Sequence, residues 1–204
     1  IDVGHHLEKF TPHLPTTCIK IFHICTAHWK FQNEAEQKRI ADISTKRGVA
    51  LSPRRQIPES HNINVCDIAS MLGNTFTEQT YAFAHKKIVP IPVTTTHEFP
   101  SPTSKNFDIA RKNFIWLGGA GMAHKGLDLV LEAFSLMPDV TLTIFGKKDT
   151  DFAEVYKKEL LETPTIHYRG VIDPGTKEFK DVVDQSIGIV FPSASEGSSS
   201  GVVL

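Results

Sequence analysis

The sequence predicts an α/β protein built on parallel sheets, and three observations carry that prediction. Four short β-branched or aromatic runs, Phe114–Leu117, Val140–Phe145, Ile166–Tyr168 and Ile187–Phe191, begin 26, 26 and 21 residues apart. Each interval holds a helical pattern rather than a hairpin turn, which is the rhythm of strand–helix–strand crossovers. Two glycine-rich segments, 118–126 and 192–201, each follow one of these runs. Open parallel sheets place ligand loops there, at the carboxyl ends of their strands.

The helices between the strands can be read one by one. Gly126–Met137 is apolar almost all round, with only Asp128, Glu132 and Ser135 polar. That narrow polar stripe predicts a helix packed on a sheet and mostly covered. Pro138-Asp139 then stops it. A second helix is expected over about Asp151–Glu162, with Phe152, Val155, Tyr156 and Leu160 on one face. A third, about Thr176–Gln185, turns Phe179, Val182 and Val183 to one side.

The first half is less regular. Cys18–Cys25 reads as a buried strand, and Asn33–Lys46 as a charged amphipathic helix ended by Gly48. Asp67–Leu72 is a short strand. Asn74 is placed to cap a helix running to about His85, because its side-chain oxygen can accept from free first-turn N–H groups. Lys87–Ile91 is another strand, bounded by Pro90 and Pro92. Val93–Asn106 has no periodicity, and the linker between two α/β units is expected at 96–110, dividing 1–95 from 111–204.

Composition narrows the chemistry. The 204 residues carry 22 Lys+Arg against 23 Asp+Glu, a formal charge of −1. Such a balance excludes a surface that binds nucleic acid by bulk positive charge. The three cysteines, Cys18, Cys25 and Cys66, do not make a disulfide framework and fit a reducing cytoplasm. No apolar run approaches the 18 or so residues of a membrane span, and a cytoplasmic location is expected, with peripheral contact at the inner face of the membrane. The chain opens on Ile1 and stops at Leu204 inside an apolar run, as a piece of a longer polypeptide would.

The richest motif is Gly118-Gly119-Ala120-Gly121-Met122-Ala123-His124-Lys125-Gly126, between a strand and a helix. Glycines let a ligand approach the backbone, and a helix N-terminus offers free N–H groups and partial positive charge. Lys125 adds a cation. The spacing is neither the GxGxxG dinucleotide fingerprint nor the GxxxxGK[ST] phosphate loop. Two readings stand: a phosphate or pyrophosphate cradle, or a plain glycine-rich turn with a solvated lysine. The second motif, Pro192-Ser193-Ala194-Ser195-Glu196-Gly197-Ser198-Ser199-Ser200-Gly201, offers one carboxylate for ligand hydroxyls and a row of small residues with accessible N–H groups. It reads either as a ligand loop or as a flexible polar loop.

Together these signposts resemble the donor domain of glycosyltransferase family 4 (group 1), enzymes of GT-B architecture. Phe114–Phe134 matches a strand ending in Gly-Gly, then Lys-Gly and a helix reading Leu-Asp-Leu-Val-Leu-Glu-Ala-Phe; Ile144-Phe145-Gly146, His167–Val171 and Pro192–Gly197 follow in family order. The likeness is strong over Asn113–Leu204 and weak over Cys18–Phe99. It implies two Rossmann-like parallel-sheet units, both truncated: 1–95 as the later part of an acceptor-side domain and 111–204 as the first part of a nucleotide-sugar (donor) domain. It implies transfer of a sugar from a nucleotide diphosphate-sugar to a glycan, lipid-linked or other small acceptor, with retention at the anomeric carbon, in a cleft between the domains and with no metal or cofactor. Other chemistry of the architecture, a nucleotide-sugar epimerase or a phosphorylase, is an alternative, as is a nucleotide-sugar-binding module without turnover. The 204 residues alone are expected to be marginally stable and inactive.

The resemblance assigns roles residue by residue. Gly119, Gly121 and Lys125 would hold the donor phosphates, Lys125 neutralising charge on the departing diphosphate. Glu196 would hold a sugar hydroxyl, with Gly197, Ser198, Ser199 and Ser200 supplying N–H groups to sugar and phosphate. Gly146, Lys147, Gly170 and Val171 would border the base. His28, after the strand Cys18–Cys25, would face the reaction centre, with His23 second; each also reads as an ordinary core or surface histidine. Glu196, Lys125 and His28 form the expected catalytic set. The family's arginine just after the first donor strand is absent, because Gly119-Ala120-Gly121 stands there. A second family glutamate, eight residues after the first, would coincide with Leu204. His23, Cys25 and His28 lack metal-ligand spacing. Lys46-Arg47 and Arg54-Arg55 read as surface charge, or as contacts to acceptor phosphates or an anionic membrane. Lys147-Lys148 is a further cationic pair.

Overall fold

A computed structural model describes residues 1–94 and 105–199. The chain forms two compact units that are discontinuous in sequence. The first comprises the described parts of Ile1–Ala35, Gln56–Thr94 and Ser195–Val203; the second comprises those of Glu36–Arg55 and Thr95–Ala194. Two segments therefore lie away from the unit that a single linker at 96–110 would give them, 36–55 and 195–199. Residues 96–104 of that linker lie outside the described residues, and its end forms a helical turn, Phe107–Ala110.

The first unit holds α1 (Leu7–Phe10), β1 (Ile21–Ile24), the start of α2 (Trp29–Arg47), α3 (Asn62–Val65), β2 (Ile68–Met71), α4 (Thr75–Gln79) and β3 (Ile88–Pro90). Its strands pair in parallel in the order β1-β2-β3, with Ile21 opposite Ile68 and Ala69 opposite Ile88. Alternation along β1 sends Phe22 and Ile24 into a core with Ile63, Ala69, Met71 and Tyr81. Asn74 caps α4 as the sequence predicts: its Oδ1 accepts from the N–H groups of Phe76 and Thr77 at 3.0 and 3.2 Å. The helix ends at Gln79, however. A 3₁₀ turn, Ala82–Ala84, follows it, and His85 adopts a left-handed conformation with φ 49°. The first strand is also shorter than expected, four residues rather than eight. α2 begins four residues before the expected Asn33, and Gly48 ends it with φ +66°.

The second unit takes the remainder of α2 and adds α5 (Phe107–Ala110), β4 (Asn113–Leu117), α6 (Leu127–Phe134), β5 (Thr141–Phe145), α7 (Thr150–Val155), α8 (Lys157–Glu162), β6 (Ile166–Gly170), α9 (Lys177–Asp184) and β7 (Gly188–Ile189). All four strands are parallel, in the order β6-β5-β4-β7. From β4 the chain adds β5 and β6 on one side, then returns to lay β7 on the other. The sheet thus contains a topological switch point between β4 and β7. Trp116, Leu127, Leu131, Leu142, Ile144 and Tyr156 fill the core on one face of the sheet.

The polar stripe predicted for α6 runs from buried Asp128 through half-buried Glu132 to exposed Ser135. Arg39 of α2 meets buried Asp128 at 3.4 Å, and Lys46 meets Glu132 at 3.1 Å. The expected helix over 151–162 is broken at Tyr156, whose φ −104° and ψ 26° separate α7 from α8. Its ring stacks on Phe152 at 4.6 Å and its hydroxyl donates to Glu132.

Candidate functional site

The glycine-rich turn leaves β4 at the switch point. Close packing fixes it at each glycine that the structure constrains. A Cβ on Gly118 would fall 2.3 Å from the Trp116 ring, whose indole fills the space below. Gly121 has φ +88° and Gly126 φ +73°, both in the region that favours glycine. A Cβ on Gly126 would fall 2.0 Å from the Pro192 carbonyl oxygen. Around Gly119, by contrast, the space is open and the residue is exposed.

Hydrogen bonds complete the turn. The Lys125 N–H donates to Gly121 O at 2.9 Å, and the Leu127 N–H to Met122 O at 3.0 Å. Asp149, just after β5, accepts from the Met122 N–H through Oδ2 at 2.7 Å. The Trp116 indole N–H donates to the Lys125 carbonyl at 3.3 Å. Lys125 is 8% exposed, and its Nζ sits 5.2 Å from the centroid of the Phe191 ring. Its butyl stem is therefore covered, and its ammonium group lies at cation–π distance from the Phe191 ring.

The segment after β7 lies directly on this turn. The Ala194 N–H donates to His124 O at 2.8 Å, and Ser193 Oγ to the same carbonyl at 3.3 Å. The two motifs, about 70 residues apart in sequence, are thus joined at the carboxyl edge of adjacent parallel strands. Gly118, Gly146 and Gly170 meet along the same edge. The Gly118 N–H donates to Phe145 O, and the Gly146 N–H to Gly170 O. A Cβ on Gly146 would fall 2.7 Å from Gly118 O. Tyr168 Oη donates to Gly146 O at 2.9 Å. Lys147 is exposed and Val171 is 77% exposed, both beside this glycine edge.

After Ala194 the chain belongs to the first unit, so Lys125 and Glu196 fall in different units. The Glu196 carbonyl accepts from Thr77 Oγ1 at 3.5 Å. Gly197 is wedged against β1 and β2: a Cβ there would fall 2.4 Å from both Cys25 O and Leu72 O. Ser198 and Ser199 follow, half-buried, and Ser200 lies outside the described residues.

His28 lies three residues past Cys25. Its ring centroid is 5.4 Å from Trp29, 5.3 Å from Tyr81 and 5.0 Å from Phe83. Burial among these rings, with the charges of His61 and Lys30 nearby, holds its pKa below the usual histidine value. His23 points elsewhere, to Ser70 Oγ at 2.8 Å. Among the described residues no cluster of three or more His, Cys, Asp or Glu is arranged to hold a metal, and no helix is long and apolar enough to cross a membrane.

No protein family and no curated protein matches this sequence. Solved structures do. A crystal structure of TarM aligns over 95% of this chain at TM-score 0.61 and 14% identity, covering 36% of that chain. The apo form of the lipopolysaccharide outer core galactosyltransferase WaaB aligns over 92% at TM-score 0.50 and 14% identity, covering 54% of that chain. The two sheets match GT-B Rossmann-like units. At this identity the likeness is one of fold, and the present chain spans about a third to a half of those proteins.

Three residues that shape the site were not singled out by the sequence. Asp149 caps the turn from a different loop. Trp116 supports it from below. Glu36, 1% exposed on α2, accepts from the N–H groups of Arg54 and Arg55. Asp149 and Glu36 act on residues 18 to 27 positions away in sequence, and no periodicity or short motif registers such a pairing.

Proposed function

We propose that this chain belongs to a glycosyltransferase that moves a sugar from a nucleotide diphosphate-sugar to an acceptor with retention at the anomeric carbon. One observation carries the reading: the glycine turn and the Pro192–Ala194 segment are packed together at the switch point of a parallel sheet, with the Lys125 carbonyl bonded by Trp116 and its ammonium near the Phe191 ring. Anionic ligands of open α/β sheets bind at such an edge.

In this reading the Lys125 side chain takes the diphosphate together with N–H groups of the turn other than those of Gly118, Met122, Lys125 and Gly126, which are engaged within the protein. Lys125 offsets the charge that grows on the leaving oxygen as the glycosidic bond breaks, stabilisation that is strongest in the transition state. The edge formed by Gly146 and Gly170 borders the base, with Lys147 and Val171 beside it. The N–H of Gly146 is already engaged by Gly170, so other backbone groups there must supply any polar contact to the base. Glu196 takes a sugar hydroxyl, Gly197 to Ser200 the adjoining polar groups, and His28 meets the reacting face of the sugar. Neither a metal nor a cofactor enters, and the acceptor is a glycan, a lipid-linked sugar or another small hydroxyl compound.

Calorimetric titration with UDP, GDP and ADP, and with their sugar conjugates, tests this. One nucleotide series is expected to bind, and Lys125→Gln to weaken its diphosphate about 10-fold to 100-fold. Glu196→Gln should spare the nucleoside diphosphate and weaken only its sugar conjugate. Slow release of free sugar from the donor by the full-length enzyme, lost in both variants, would register the transfer chemistry. Unchanged diphosphate binding in Lys125→Gln would overturn the assignment.

A further inference from the structure

The glycine turn carries a single cationic side chain, Lys125, whereas a terminal phosphoryl group alone bears about −1.5 to −2 charges at neutral pH. We propose that Arg55 supplies the second cation of this site, reaching it from outside the strand–turn–helix segment. The inference rests on the donor-site reading above and names a residue that reading does not contain.

The geometry is local to the second unit. A Cβ on Gly121 would fall 2.5 Å from Arg55 Cγ and 3.0 Å from Arg55 Cδ. The arginine stem thus lies across the turn, over a buried glycine whose φ of +88° and lack of a side chain make room for it. The guanidinium carbon is two bonds beyond Cδ, so the charge is carried on a stem that crosses the turn. A planar fork of donors is the side chain best matched to two phosphate oxygens.

The stem is placed there by anchors, not by chance. The N–H groups of Arg54 and Arg55 donate to the buried Glu36 carboxylate at 2.9 and 2.8 Å, and Arg55 N–H also reaches its second oxygen at 3.1 Å. The Arg54 guanidinium is held by Asp151 Oδ2 at 2.8 Å. The turn itself is fixed through Asp149. Arg54 ties the loop to α7, and the Arg55 stem crosses Gly121. Pro53 stiffens the approach by fixing its own φ. Arg55 is exposed, so a ligand arriving at the turn meets it.

The test compares UDP, GDP and ADP with the corresponding monophosphates and nucleosides, by calorimetry on the whole chain. Arg55→Gln keeps much of the stem and removes the charge. It should weaken the preferred diphosphate about tenfold, the monophosphate less and the nucleoside not at all. The salt dependence of diphosphate binding should become shallower, and Arg55→Lys should restore part of the loss. Should Gln disturb the fold on thermal melting, Arg55→Met provides the second uncharged variant. Equal weakening of nucleoside, monophosphate and diphosphate would mark a packing role and overturn the proposal, as would no weakening at all. If Lys125→Gln loses binding while Arg55→Gln keeps it, Arg55 alone is wrongly assigned. If the wild-type chain binds none of the three diphosphates, the donor-site reading fails and the role of Arg55 fails with it.

Discussion

The two sheets end in opposite ways at their carboxyl edges. At the carboxyl ends of β4, β5 and β6 stand Gly118, Gly146 and Gly170, and the side chains that matter, Trp116 and Tyr168, lie below or beside the edge. Beyond β1 stands His28 within a ring of Trp29, Tyr81 and Phe83. The first edge presents backbone and positive charge; the second presents ring faces and one imidazole. Backbone N–H groups recognise anionic oxygens without regard to what they are attached to, whereas aromatic surfaces select shape and apolar faces. A parallel sheet can thus be specialised by what its edge removes as readily as by what it adds.

The largest expected effect tests how far the glycine edge depends on missing side chains. Gly126→Ala puts a Cβ 2.0 Å from a carbonyl oxygen at φ +73° and should cost at least about 3 kcal/mol in thermal denaturation. Gly48→Ala is the control. Its φ is +66° but nothing lies within 4 Å, so only backbone strain remains, about 1–2 kcal/mol. Equal losses would show that conformation, and not contact with Pro192, sets the requirement.

Next in size is Glu36→Gln. It weakens two N–H acceptor contacts that hold residues 54 and 55, and a loss of about 2 kcal/mol in denaturant unfolding is expected. At the aromatic edge, NMR titration of His28 should give a midpoint below the ordinary histidine range, because burial disfavours its charged form. The unfolded chain then binds the proton more readily than the folded one. Stability is lost as pH falls through the unfolded-state value toward the depressed folded one, and His28→Phe should remove that part of the decline.

The smallest effect is expected at Asp128, behind the glycine edge. Burial raises its pKa against the pull of Arg39, and Oδ1 has no partner. The folded state holds this proton more tightly, so its contribution falls as pH rises above the usual carboxylate range. Asp128→Asn should flatten that slope and change stability at neutral pH by no more than about 1 kcal/mol.

The strands were legible because their signal is periodic and local, whereas the strand order that makes the switch point came only with the structure. The runs beginning at Phe114, Val140 and Ile166 matched β4, β5 and β6 to within a few residues. The cap at Asn74 was legible for the same reason, since its partners are two and three residues away. What escaped was set by contacts remote in sequence. The break at Tyr156 follows from stacking on Phe152 and the hydroxyl bond to Glu132, neither of which alters helical spacing. The burial of Asp128 comes from α2, 89 residues away. Residues 36–55 join the second unit through Glu36, Arg39, Lys46 and Arg54, in a stretch whose charges read as solvated surface. Both glycine motifs were legible as loops at carboxyl strand ends, but their contact was not, because it depends on β7 pairing with β4, and Asp149 and Trp116, which shape the turn, belong to no motif.

Trp116 has a consequence in optical terms. The sequence holds two tryptophans, Trp29 and Trp116. The indole of Trp116 is fully buried, touches the underside of Gly118 and donates to the carbonyl of Lys125. Its emission is therefore tied to the electrostatic field of the turn. A Trp29→Phe chain would carry a single tryptophan, seated beneath the proposed phosphate position. Arrival of a nucleotide would then register as a shift in emission wavelength or lifetime without any attached label.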